Sequence, residues 1–255
     1  VKLLAAGGIV ALLAMACAAP SFAQSGGAPA AFPTLSIGVQ DTTEPAKVAL
    51  TLQILGILTI LSIAPAILIL TTSFTRIAVV LSFLRTALGT QQLPPNQVIL
   101  GLSLFLTFFV MKPTWNEIHD TALAPYMAGD LPAPAAFEKG VQPLKHFMVR
   151  NTRDTDIDLF LEIRQDTTPE DPERLGMDVL VPAFVISELR TAFQMGFVLY
   201  IPFLVIDMVV ASVLMSMGML MLPPVLISLP FKILLFVLVD GWHLVIRSLA
   251  SSFQV

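Results

Sequence analysis

Apolar residues along this chain gather into long, nearly uncharged blocks separated by short polar breaks. Val48 to Thr72 runs for 25 residues without a charge, enough for a helix to cross a hydrocarbon core about 30 Å thick. Pro65 inside it predicts a kink and not an end, because apolar residues continue on both sides. Ser73 to Leu88 is a helix-like connection carrying Arg76 and Arg85, closed by a polar and proline-rich stretch from Gly89 to Asn96. Val98 to Met111 is the second apolar segment and is short for a crossing. Ala183 to Leu222 is the third, 40 residues with only Glu188, Arg190 and Asp207 charged. A straight helix of that length measures about 60 Å, twice the hydrocarbon thickness, so it must bend, tilt or leave the bilayer, with Pro202 the expected bend. Pro223 and Pro224 end it. Val225 to Leu249 is predicted as one last helix, interrupted by Pro230 and Lys232.

Charge marks the remaining segments. Between Pro113 and Pro182 lie 13 acidic and 6 basic residues, more than half of all the charged residues in the chain. This is a water-facing insertion, in which Ala135–Val149 and Ile157–Gln165 are predicted as short amphipathic helices and Asp166–Glu173 as a turn or helix start. Residues 24–47 are rich in Gly, Ala, Pro, Ser and Thr without periodicity and read as a flexible tail. Residues 1–23 read as a signal peptide, with Lys2 as its positive region, Leu3 to Ala19 its apolar core, and cleavage after Ala23. An uncleaved first helix is the alternative. The expected organisation is therefore 1–23 signal peptide, 24–47 tail, 48–112 first hydrophobic hairpin, 113–182 charged insertion, and 183–255 second hairpin. The fold class is all-α membrane protein. Arg76 and Arg85, with no acid near them, place their connection on the cytoplasmic side by the positive-inside rule. Alternation then puts the insertion in the periplasm.

Composition agrees: hydrophobic residues make up 56% and charged residues 13% of the chain, with mean hydropathy +0.83, against about 25% charged in a globular domain. A net charge of −4 gives no basic footprint for nucleic acid. The single cysteine, Cys17, excludes an internal disulfide and a cysteine-based metal cluster.

Candidate chemistry is sparse. Three histidines show no metal-ligand spacing, and Asp154, Asp156 and Asp158 resemble the start of a calcium loop without its glycine or closing glutamate. Asp207 and Asp240 raise an intramembrane aspartyl protease only weakly, since nothing around them supports it. Neither an enzyme nor a cofactor is expected. Glu188, Arg190, Asp207, Lys232 and Asp240 each cost roughly 2.5–3.5 kcal/mol at the centre of a membrane helix and need partners or water. Glu188 and Arg190 stand on nearly opposite helix faces, so they do not neutralise one another. Pairing Glu188 with Lys232, within a subunit or between neighbours, is the economical arrangement; solvation near the surface and a proton or ion relay remain open. Finally, Met215, Met217, Met219 and Met221 crowd the break before Pro223. Methionine is soft and re-packs around different shapes, so the cluster reads either as core filling or as a deformable apolar collar.

Four long runs carry a family resemblance: TSFTRIAVVLSFLRTALGTQQ (Thr72–Gln92, followed by Pro94–Gln97), FVISELRTAFQMGF (Phe184–Phe197), MSMGMLMLPP (Met215–Pro224) and LPFKILLFVLVDGW (Leu229–Trp242). They resemble the FliP family of flagellar type III protein-export gate subunits, which has relatives in virulence injectisomes. The resemblance implies a ring, pentameric in the family, built with FliQ and FliR and working with FlhB and FlhA. It implies a place in the bacterial inner membrane at the flagellar basal body and passage of unfolded export substrates through the ring's centre. It also implies that the hydrophobic segments need not be conventional spans, because the assembled gate stands largely above the bilayer plane. The gate loop would be 215–224, with Met219, Leu220 and Met221 lining the constriction and Met215 and Met217 supporting them. Leu220 stands where relatives often have Met. The family ion pair maps onto Glu188 and Lys232. A small-solute transporter or channel is the competing class; it would carry inverted repeats, and none is visible.

Overall fold

The computed structural model describes residues 45–90, 93–165, 175–219 and 221–253. The signal peptide with Ala23, the tail up to residue 44, the acidic turn at 166–173 and Leu220 fall outside these ranges. The chain divides into two units, 1–52 and 53–255. In the first, the described residues 45–52 are helical.

All regular structure among the described residues is helical. Helix α1, Pro45–Leu70, continues through Pro65. Helix α2 is Phe74–Ala87, α3 Asn96–Val110 and α4 Lys112–Ile118. A π turn, His119–Leu123, joins α4 to α5, Ala124–Ala128. The short apolar segment is thus not isolated: α3 bends by 55° into residues 112–128. In the insertion follow α6, Ala133–Asn151, and α7, Asp154–Arg164, close to the two helices the sequence predicts. Helix α8, Met177–Ser216, runs for 40 residues through Pro182 and Pro202. At the end of the chain the structure corrects the expectation of one last helix. Val225 to Leu249 is not one helix but two, α9 Pro224–Leu238 and α10 Gly241–Ser251, bent by 64°. The break comes from Asp240, whose φ of +50° leaves the right-handed region. Gly241 then has to be glycine, because a Cβ there would lie 2.2 Å from the Phe236 ring.

Helix α8 organises the second unit. Helix α2 packs along it in the same direction, Arg76 meeting Glu188 and Phe83 meeting Gly196. Helix α7 runs antiparallel to it: the N–H of Arg153 donates to Ser187 Oγ at one end and Arg164 pairs with Asp178 at the other. Ile77, Val80 and Leu84 of α2, Leu180 and Phe184 of α8, Met148 of α6 and Leu249 of α10 fill the main core. Fully burying each such side chain contributes roughly 1.5–3 kcal/mol. Much apolar surface remains outside. Leu61 of α1 and Phe105 and Phe108 of α3 are each more than 60% exposed. Two helices, Thr51–Leu70 and Met177–Ser216, are long and apolar enough to cross a membrane, or up to four spans if each bent pair counts as one.

Candidate functional site

The methionine cluster occupies the turn between α8 and α9. Helix α8 ends at Ser216, so Met215 is its last-turn residue and Met217 its C-cap. Gly218 takes φ +74°, its N–H donates to the Met215 carbonyl at 3.1 Å, and the N–H of Met219 donates to the Leu214 carbonyl at 3.0 Å. This is a Schellman cap, in which a left-handed glycine satisfies the last orphan carbonyls of a helix. The cap throws the chain out of the helix, and Pro223 and Pro224 restart it as α9. All four methionines are exposed, Met221 at 98%. Core filling within this chain is therefore not their role. Leu220, expected between the lining methionines, lies outside the described residues.

The pairing expected inside the apolar segments is Glu188 with Lys232. The structure does not bring these two together. Glu188 is fully buried and accepts from Arg76, Nε to Oε2 at 2.8 Å and Nη2 to Oε1 in a fork. The remaining guanidinium nitrogen, Nη1, donates to the carbonyl of Ser252 at 2.7 Å, and the group lies 4.0 Å over the Phe253 ring. Lys232 instead donates to Asp207 Oδ2 at 2.6 Å. The reason is the direction of packing. Helix α2 lies parallel to α8 and carries Arg76 to Glu188, while the α8–α9 hairpin carries Lys232 to Asp207. Arg76, expected as a cytoplasmic-side positive charge, is buried and paired with Glu188. Arg85 is half-buried and donates to Asn96 Oδ1 across the α2–α3 connection. Arg190 is exposed, and Glu188 and Arg190 point apart as their spacing requires.

Asp207 and Arg76 are the partners that sequence reasoning missed. Each was visible as a charge in an apolar stretch without an opposite charge a turn away on its own helix. No group of three or more potential metal ligands occurs among the described residues.

Comparison with known proteins adds the family. The FliP family model matches residues 57–249, which contain both charge pairs and the methionine turn. The chain belongs to the FliP family. It is 56% identical over 217 residues to the flagellar biosynthetic protein FliP of Bacillus subtilis (strain 168), covering 85% of this chain and 98% of that relative. It is 56% identical over 204 residues to that of Pectobacterium carotovorum subsp. carotovorum, covering 80% of this chain and 79% of the relative. It is 52% identical over 205 residues to that of Aquifex aeolicus (strain VF5), covering 80% and 86% respectively. For a FliP family member, the exposed methionine turn and the buried ion pairs are the two features left to interpret.

Proposed function

We propose that this chain is a core subunit of the flagellar type III protein-export gate, in the bacterial inner membrane at the flagellar base. As a FliP family member it is a non-enzymatic export component. In this reading several copies form a ring, pentameric by family resemblance. FliQ and FliR join it in the gate, FlhB and FlhA work beside it, and the insertion faces the periplasm. Each copy contributes its gate loop, residues 215–224, to an apolar seal around the axis, and unfolded flagellar proteins pass through.

The observation that carries this reading is the exposed methionine turn at the end of the α8–α9 hairpin. A monomer gains nothing from exposing four methionines, whereas copies meeting around an axis would bury them against one another. Methionine re-packs readily, so such a ring seals when empty and deforms around an irregular chain. A narrow apolar constriction also excludes ions by dewetting. Replacing Met219 and Met221 together by Ala shortens two of the four methionines that each copy offers. The expected outcome is a several-fold rise in ion leak, measured as loss of membrane potential in growing cells, before secretion of flagellar subunits fails. Normal potential together with normal secretion would end the gasket reading.

A further inference from the structure

Lys232 is a buried ammonium, 2% exposed, on the otherwise uncharged helix α9. Burying such a charge is costly unless it is paired and hydrogen-bonded. Here it donates to Asp207 Oδ2 on α8 at 2.6 Å and to the carbonyl of Ala87, the last residue of α2, at 3.3 Å. The second contact sets a cation at the negative end of a helix, which is favourable. Ser228, one turn before Lys232, donates to the other Asp207 oxygen at 2.5 Å. Gly89 completes the arrangement. Its φ is +73°, and a Cβ there would stand 3.6 Å from Lys232 Nζ and 3.8 Å from Leu229 and Val225, so the turn after α2 rests on one face of α9. Three helices meet at the Lys232 ammonium, and two of them at the Asp207 carboxylate.

This tie stands back from the methionine turn. Asp207 precedes Met217 by ten residues and Lys232 follows Pro224 by eight, about 15 and 12 Å along the two helices at 1.5 Å per residue. Between tie and turn, α8 and α9 border an apolar gap of about 480 Å³, lined by Val209, Val213, Leu214, Ile227 and Phe231 among others. Among the described residues no polar contact joins the two helices along that stretch; Ser212 and Ser216 bond only within α8. The hairpin is therefore pinned at one level and held by apolar contact alone beyond it.

We propose that Asp207 is the positioning residue of the methionine turn. Through Lys232 and Ser228 it sets the register of α8 against α9 and seats both on the end of α2. The turn is thereby placed from a distance, while the apolar stretch next to it is left free to shift. The functional meaning of this positioning rests on the gate reading above; the tie itself does not.

The test uses the full chain in detergent with Cys17 replaced and spin labels on Gln97→Cys and Met221→Cys. In a sample diluted with unlabelled chain, the distance distribution between the labels reports where the turn sits relative to the α2–α3 connection. With Asp207 intact, a single narrow distribution is expected. Asp207→Ala should at least double its width, and Asp207→Glu, which keeps the carboxylate, should leave it narrow. If Asp207→Ala does not fold, Asp207→Leu with Lys232→Met removes both charges and should show the same broadening. A distribution as narrow as that of the parent, in whichever of these variants folds, overturns the proposal. In cells, unlabelled Asp207→Ala should raise ion leak several-fold and Asp207→Glu should restore the seal. A broadened turn with unchanged potential and secretion would support the tie and remove the gate reading instead.

Discussion

At the residue scale, the most constrained group is the Arg76 guanidinium. It uses its planar fork on Glu188, its third nitrogen on the Ser252 carbonyl, and its face on Phe253. Lysine offers no such fork, so Arg76→Lys is not a conservative change here. Arg76→Ala would leave a fully buried carboxylate unpaired, and breaking a buried pair from one side costs about 3–5 kcal/mol. Replacing both partners with apolar residues of similar volume is far milder. Thermal unfolding in detergent should therefore show a large loss for Arg76→Ala and recovery of most of it in Arg76→Met with Glu188→Leu. If the double replacement were no better than the single one, the buried pair would not be what couples α2 to α8.

Among elements, the α2–α8 contact depends on a missing side chain. A Cβ on Gly196 would lie 2.6 Å from Cγ of Phe83 and 3.0 Å from its Cβ. These are the stiff inner atoms of the side chain, whose ring already forms a T-shaped pair with Phe193 at 5.2 Å between centroids. Alanine gains about 1 kcal/mol over glycine in helix propensity, but overpacking a fitted contact costs about 1–3 kcal/mol. The net expectation for Gly196→Ala is destabilisation, with partial recovery when Phe83 is shortened to Leu. A melting temperature that rose in Gly196→Ala would show that the helices can separate freely.

For the whole molecule, apolar exposure decides the environment. The helix Thr51–Leu70 has mean hydropathy 2.4 and none of it is buried within the chain. The outer face of α3 and the C-terminal half of α8 add Phe105, Phe108, Val205 and Val209, all more than half exposed. A patch of this extent is far beyond the few hundred Å² that a water-borne monomer exposes. The chain should stay in the membrane pellet through an alkaline carbonate wash and come out only with detergent. Release by carbonate alone would mean that partners rather than lipid cover these faces.

The sequence by itself determined which stretches are helical and which need an apolar setting. The reason is that helical hydrogen bonds close within four residues, and a long uncharged apolar block has few other ways to satisfy its backbone. It also showed the proline-bounded methionine turn, the helices of the insertion, and the charges that require partners. It did not determine the partners. Arg76 and Glu188 are 112 residues apart and Lys232 and Asp207 are 25 apart, and a charge in an apolar helix demands a counter-charge without saying which one. That choice fell to the tertiary structure, because it depends on α2 lying parallel to α8 and on the register of the α8–α9 hairpin. The break at Asp240 was hidden for a related reason: Val225 to Leu249 reads as continuous helix locally, and only packing against Phe236 makes Gly241 indispensable. Local chemistry wrote the helices, and the way they pack decided which charges meet.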